Sequence, residues 1–167
     1  MYGKQTEYAI AVMSRLAEVY DGGKTRLSAA DVADSRGLQH PFVAKILSQL
    51  SQAGLVIGSR GRDGGAALAR NPKTIKLYDV FKLFERTDKD DNCPFGGGRC
   101  GVGQPCPLHD NLVAVEKAMD HLLHDTTFEV FRIAAKKSRR QSEPPSTRKK
   151  TSKRESYRAP QTTKPRR

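Results

Sequence analysis

The 167-residue sequence contains three cysteines, all between positions 93 and 106. So sparse and uneven a supply argues against a disulfide framework, because three thiols cannot pair completely and no secretory segment suggests an oxidising compartment. No apolar run reaches the roughly 20 residues that a helix needs to cross a bilayer, so no membrane partner is expected. Internal repeats are missing too. Outside the cysteine stretch there is no nucleophile–base pair, no phosphate-cradling glycine loop and no histidine cluster able to activate a metal-bound water. His121 and His124 read as surface or packing residues of a final helix, and the chain is not expected to be an enzyme. Reduced cysteines without a leader point to the cytoplasm.

What is present starts with charge. Lys and Arg number 30 against 18 Asp and Glu, a formal net charge of +12. The excess is local: residues 136–167 hold 13 basic and 2 acidic side chains, which leaves 17 and 16 before them. That tail is rich in Ser, Thr and Pro and nearly free of large apolar side chains, so it is expected to be disordered, a solvated appendage or an arm that adds phosphate contacts without discriminating sequence. With 37% hydrophobic residues, the rest can bury a small domain plus helices that complete their burial in a dimer.

The cysteine stretch runs Asp91-Asn-Cys93-Pro-Phe-Gly-Gly-Gly-Arg-Cys100-Gly-Val-Gly-Gln-Pro-Cys106-Pro-Leu-His109. Glycine and proline let a backbone bend around a compact centre, so the thiolates of Cys93, Cys100 and Cys106 can converge. Gaps of six and five residues, with His109 three places further on, are looser than the usual structural zinc knuckle. The loop by itself fits an iron–sulfur cluster or a zinc ion held by three Cys and His109.

The first seventy residues carry a different pattern. Ala9, Val12, Met13, Leu16, Ala17 and Tyr20 share one helical face between Thr6 and Tyr20, which Asp21-Gly22-Gly23 ends. Ser28 stands as N-cap of a short helix with Asp31 at its third position, and Gly37 stops it. His40-Pro41 opens a third helix, with Phe42, Val43, Ile46, Leu47 and Leu50 expected inside and Lys45, Gln49 and Gln52 outside, up to Ala53-Gly54. Two short helices joined by a tight turn make a helix-turn-helix. Leu55-Val56-Ile57, the glycine turn Ser59–Gly65 with Arg60 and Arg62, and Ala66–Ala69 then predict a β-hairpin wing. The fold class is mainly α with a small β-hairpin: a winged helix-turn-helix followed by a long C-terminal helix. From Leu108, the residues Leu112, Val115, Met119 and Leu122 recur at heptad steps, a seam suited to a homodimer interface or to packing on the first helix.

Several segments in order resemble one family, over about residues 1–135. They are Tyr8-Ala9, the stretch Gly37-Leu-Gln-His-Pro-Phe-Val-Ala-Lys-Ile-Leu47, the wing Arg60-Gly-Arg-Asp-Gly-Gly65, the helix start Ile75-Lys-Leu-Tyr-Asp-Val80, and Cys93, Cys100 and Cys106. Together they are similar to the Rrf-type iron–sulfur winged-helix transcription regulators of the IscR, NsrR and RirA kinds. The resemblance implies that Cys93, Cys100 and Cys106 hold an iron–sulfur cluster, 2Fe-2S or 4Fe-4S. His109 is the fourth ligand implied by IscR-like members, and Glu7, from the partner's first helix, is the one implied by others. The first cysteine gap is one residue longer than in many members, Ala66-Ala67 replaces a frequent aromatic or Arg, and the basic tail is not a general family feature.

The chain then divides into a winged helix-turn-helix (1–70), a cluster loop with a dimerisation helix (71–135) and a disordered basic tail (136–167). The implied function is a homodimeric repressor on double-stranded DNA whose cluster senses nitric oxide, redox state or iron and cluster supply. Half-sites are expected about 34 Å apart or at a multiple of that. Ser28, Gln39, His40, Lys45, Gln49, Arg60 and Arg62 are the expected DNA contacts, and Phe42 is expected in the core rather than on a thymine. The alternatives are a zinc-stabilised or thiol-switched DNA-binding module and, less favoured, an iron–sulfur electron carrier or enzyme.

Overall fold

The computed structural model describes residues 3–59, 64–86, 93, 95, 98, 99, 102 and 106–142. Helix α1 (Lys4–Glu18) forms where apolar residues recur at helical spacing, and it buries Thr6, Ala9, Val12, Met13, Leu16 and Ala17. Helix α2 (Ala29–Arg36) begins at a reciprocal capping box. The Ser28 Oγ accepts from the Asp31 N–H at 3.1 Å, and the Asp31 carboxylate accepts from the Ser28 N–H at 2.9 Å. Hydrogen bonds from the Ser28 side chain and backbone hold the Asp31 carboxyl below its ordinary range. Gly37, at φ 62°, ends α2 in the left-handed conformation that costs glycine least.

Helix α3 (His40–Gln52) follows, with Pro41 in its first turn, where a missing N–H costs no intrahelical bond. Strands β1 (Val56–Ser59) and β2 (Gly65–Leu68) pair antiparallel, from Val56 opposite Leu68 to Ser59 opposite Gly65. Ala66 also exchanges backbone hydrogen bonds with Leu27, which ties the wing to the start of α2. That contact explains Gly65: a Cβ there would lie 2.9 Å from the Leu27 carbonyl oxygen. The small side chains of Ala66 and Ala67 are buried beside it. The expected winged helix-turn-helix is present, with strand and helix ends shifted by one or two residues.

A short 3-10 turn (Pro72–Thr74) leads to α4 (Leu77–Phe84), then α5 (His109–Asp125) and α6 (Glu129–Ser142). The chain corner between α5 and α6 is fixed by backbone pairing to the start of α4. Leu77 N–H donates to the Thr126 carbonyl at 3.0 Å, and Phe128 N–H donates to the Ile75 carbonyl at 2.9 Å. Phe128, fully buried, plugs this corner. Helix α6 then lies along α1, which also contacts α2, α3, α4 and β2. No helix among the described residues is long and apolar enough to cross a membrane.

Three expectations are corrected here. Phe42 is not a core residue: it is 48% exposed, whereas Val43, Ile46 and Leu50 make the buried stripe of α3. Gln49 is half-buried and its Oε1 is covered, so it does not simply face outward. Residues 136–142 continue α6 where a disordered tail was expected, and residues 143–167 lie outside the described residues.

Because Phe128 holds α6 and the α4 start together, Phe128→Ala should cost about 3–5 kcal/mol through the lost burial and the cavity left behind. Urea unfolding followed by circular dichroism would measure it, and a loss below about 1 kcal/mol would show that the corner is held by its backbone pairing alone.

Candidate thiolate centre and nucleic-acid interface

The cysteine loop joins the end of α4 to the start of α5. Cys93 N–H donates to the Gly98 carbonyl at 2.8 Å, and His109 N–H donates to the Cys106 carbonyl at 3.0 Å. The second bond sets Cys106 directly before the first turn of α5. The Cys93 and Cys106 sulfurs, both half-buried and not in a disulfide, stand 3.6 Å apart. Two thiolates on one tetrahedral metal at about 2.3 Å would be about 3.8 Å apart, so this spacing suits a shared metal corner. Cys100 lies outside the described residues. Among the described residues no group of three or more His, Cys, Asp or Glu side chains forms a metal site.

The donor chemistry is thus two soft sulfur donors brought together, with His109 half-buried as the first residue of α5. Such a set suits iron–sulfur or zinc and is poor for hard cations. Glu7 is placed differently: its carboxylate pairs with the Lys4 ammonium at 3.0 Å on the exposed side of α1. The same pairing holds the Lys4 ammonium above its ordinary range.

One residue beside the loop escaped the sequence reading. Helix α1 has Gly3 at its N-cap and no capping side chain of its own. The acceptor comes from 82 residues away: Glu85, directly after α4, accepts from the Gly3 N–H at 2.6 Å. The buried Thr6 hydroxyl donates to the same Glu85 oxygen. A carboxylate at a helix N-terminus satisfies free N–H groups and complements the helix dipole. The uncapped start of α1 was the only sequence signal, and it does not say where the acceptor comes from. Glu85→Ala should lower stability by about 1–3 kcal/mol in urea unfolding, with partial recovery in Glu85→Gln, which keeps an acceptor oxygen. Equal losses in both would mean that the carboxylate charge, and not the hydrogen bonds, holds α1.

On the helix-turn-helix, Gln39, His40 and Lys45 are exposed along the start and outer side of α3. Ser28 is already engaged, since its hydroxyl also donates to Asp31 at 2.7 Å. Arg60 and Arg62, at the wing tip, lie outside the described residues. Between α3 and the wing runs an open groove of about 300 Å³, lined by small side chains including Ala44, Ser48, Ser51, Gly58 and Ser59. Arg36 braces α2 on α1 from behind, its Nη2 reaching Glu18 at 2.6 Å and Ser14 at 2.9 Å.

Helix α5 divides its apolar residues between two faces. Leu123 is buried and Met119 packs against the core, while the Tyr78 and His124 rings lie 4.0 Å apart, so His124 is a packing residue as expected. His121 pairs with Asp125 on the surface. The expected seam is only partly covered: Leu108, Val115 and Leu122 are 45%, 64% and 47% exposed, and Leu112 is half-buried. The exposed three are seven residues apart, which puts them on one stripe.

Comparison with known proteins agrees with this layout. Residues 2–131 match the model of the Rrf2 family, described as iron-dependent transcriptional regulators. A protein of Aquifex aeolicus (strain VF5) named as an HTH-type transcriptional regulator is 25% identical over 129 residues, 76% of this chain and 88% of that one. Protein aau3 of Rhizobium meliloti (strain 1021) is 34% identical over 120 residues, 70% of this chain and 73% of that one. Among solved structures, CymR (YrzC), the global cysteine regulator of B. subtilis, superposes with a TM-score of 0.65 at 22% identity, covering 80% of this chain and 97% of that one. IscR of T. potens gives 0.62 at 23%, covering 86% and 93%. The last two likenesses are of fold.

Proposed function

Since the chain belongs to the Rrf2 family of transcriptional regulators, we propose that it is a homodimeric repressor that reads a pseudo-palindromic operator and carries an iron–sulfur cluster as its sensor. The observation that carries the sensor reading is the 3.6 Å approach of the Cys93 and Cys106 sulfurs directly before α5. Cys93, Cys100 and Cys106 would hold the cluster, with His109 as fourth ligand or, alternatively, Glu7 of the partner subunit. When bound, such a cluster supplies a redox- and nitric-oxide-reactive centre whose occupancy follows iron and cluster supply. One nitrogen or oxygen donor among thiolates leaves a weaker corner, which suits a sensor.

The chain's own residues supply the link to DNA. Cys106 lies three residues before His109, the first residue of α5, so whatever fixes Cys106 against Cys93 also fixes Leu108, the N-cap, and the start of the helix bearing Val115 and Leu122. That exposed stripe is the proposed dimer seam, completed by Leu112 and Met119. The angle between two α5 helices then sets the separation of two α3 helices. Each α3 would enter a major groove, with half-sites one helical turn or a multiple apart. Gln39 and His40 would meet base edges, Lys45 guanine or phosphate, and Gln49 the periphery. Arg60 and Arg62 would enter the adjacent minor groove, Ser28 would support the backbone contact, and the basic segment 136–167 would add non-specific phosphate contacts.

Protein purified without oxygen from iron-replete cells should be coloured and contain iron and acid-labile sulfide, both lost in Cys93→Ala, Cys100→Ala or Cys106→Ala. His109→Ala should shorten the cluster's lifetime more than Glu7→Ala; the reverse order would transfer the ligand role to the first helix. Stoichiometric zinc without sulfide would replace the cluster reading by a zinc-stabilised module, and neither metal nor sulfide by a thiol switch.

The division of labour on DNA has its own test. Deleting residues 143–167 should weaken binding to all duplexes alike and flatten the salt dependence by about 0.9 log–log units for each phosphate that is no longer neutralised. Lys45→Ala, Arg60→Ala or Arg62→Ala should instead reduce the preference for operator over random DNA. Competition binding at two salt concentrations separates these outcomes, and loss of operator preference in the truncated protein alone would reverse the assignment.

A further inference from the structure

The residue that departs most from its expected place on the recognition helix is Phe42. We infer that Phe42 is a specificity-determining residue that reads the 5-methyl group of a thymine in each operator half-site. The inference rests on the reading of α3 as the recognition helix and adds to it a base and a chemical group.

Three observations support it. The first turn of α3 is His40-Pro41-Phe42, and the N-terminal residues of a recognition helix are the ones that meet base edges. All three side chains are exposed, so this turn presents a proline ring and a phenyl ring to solvent. The ring is also held in place: the Tyr8 ring of α1 meets it edge-on, with centroids 6.0 Å apart and planes at 70°. Tyr8 is itself packed against the core. Phe42 therefore keeps 48% of its surface exposed while its direction is set by a second helix, which lowers the ordering cost of a contact.

The major groove leaves little choice of partner. Its edges are hydrogen-bond donors and acceptors except for the C5-methyl group of thymine, which is the apolar feature a phenyl ring can cover. Lys45 stands one helical turn further along the same side of α3, and Gln39 precedes the turn, so polar contacts flank the apolar one. A phosphate or sugar contact would give the ring nothing comparable, and an inward rotation is unneeded because Val43, Ile46 and Leu50 already form the buried stripe.

The test uses the full-length protein as purified without oxygen and the tightest duplex selected from a random-sequence pool. Each thymine of the half-site is replaced in turn by deoxyuridine, which lacks only the methyl group, and affinity is measured by competition at one salt concentration. One thymine per half-site should weaken wild-type binding about fourfold, the worth of one buried methyl group. Phe42→Ala should bind the thymine duplex more weakly and lose that sensitivity, while Phe42→Leu should retain part of it. The scan on the wild-type protein stands even if Phe42→Ala lowers stability, which a thermal melt would reveal. Indifference of the wild type to every replacement, a selected site with no thymine, or undiminished sensitivity in Phe42→Ala would each overturn the inference. Those results would leave the winged-helix reading intact as long as the wild type still preferred its selected site; if that preference were absent, both would fall together.

Discussion

Helix α1 is the constraint on which the other elements depend. Its buried face meets α2, α3, α4, α6 and β2, so the proposed recognition helix, the helix before the cysteine loop and the C-terminal helix are all positioned against one rod. Ala9 and Ala17 on that face allow close approach, and Val12, Met13 and Leu16 fill the space between. The helix cannot shift without repacking its neighbours, because close-packed interiors move in discrete steps. Its N-terminus is held by Glu85, the residue that leaves α4 toward the cysteine loop.

This arrangement gives the proposed sensor two mechanical attachments. At one end of the loop, Glu85 joins the loop's start to α1, and through α1 to α3. At the other, Cys106 is hydrogen-bonded to the first residue of α5, whose far end is tied by Thr126 and Phe128 to the start of α4. Order in the loop can therefore bear both on the domain's interior and on the exposed stripe of α5. Coupling of this kind needs no long pathway, since the elements concerned are covalent neighbours or share a capping hydrogen bond.

Much of the domain was legible because its signals are local. The capping box of α2, the left-handed Gly37, the proline at the start of α3 and the antiparallel wing all arise from residues a few positions apart. Phe42 was misplaced for a physical reason: it sits at the edge of the apolar arc, next to Val43, and periodicity assigns a side to about a third of a turn. Residues 136–142 were misjudged because their composition lacks apolar side chains. Lys, Arg and Gln are nevertheless good helix formers, so a helix already anchored by Phe128 and Phe131 runs on through them. Glu85 had no local signal, since its partners are 79 and 82 residues away.

By itself, the sequence determined the winged helix-turn-helix, the confinement of thiol chemistry to one loop and the heptad rhythm of α5, because each depends on residue types at short, regular spacing. Only the tertiary structure decided which apolar residues remain uncovered, that the Cys93 and Cys106 sulfurs approach to 3.6 Å, and that a carboxylate after α4 caps α1. These depend on where distant segments meet, and burial and hydrogen-bond partners are settled by that packing rather than by any spacing along the chain.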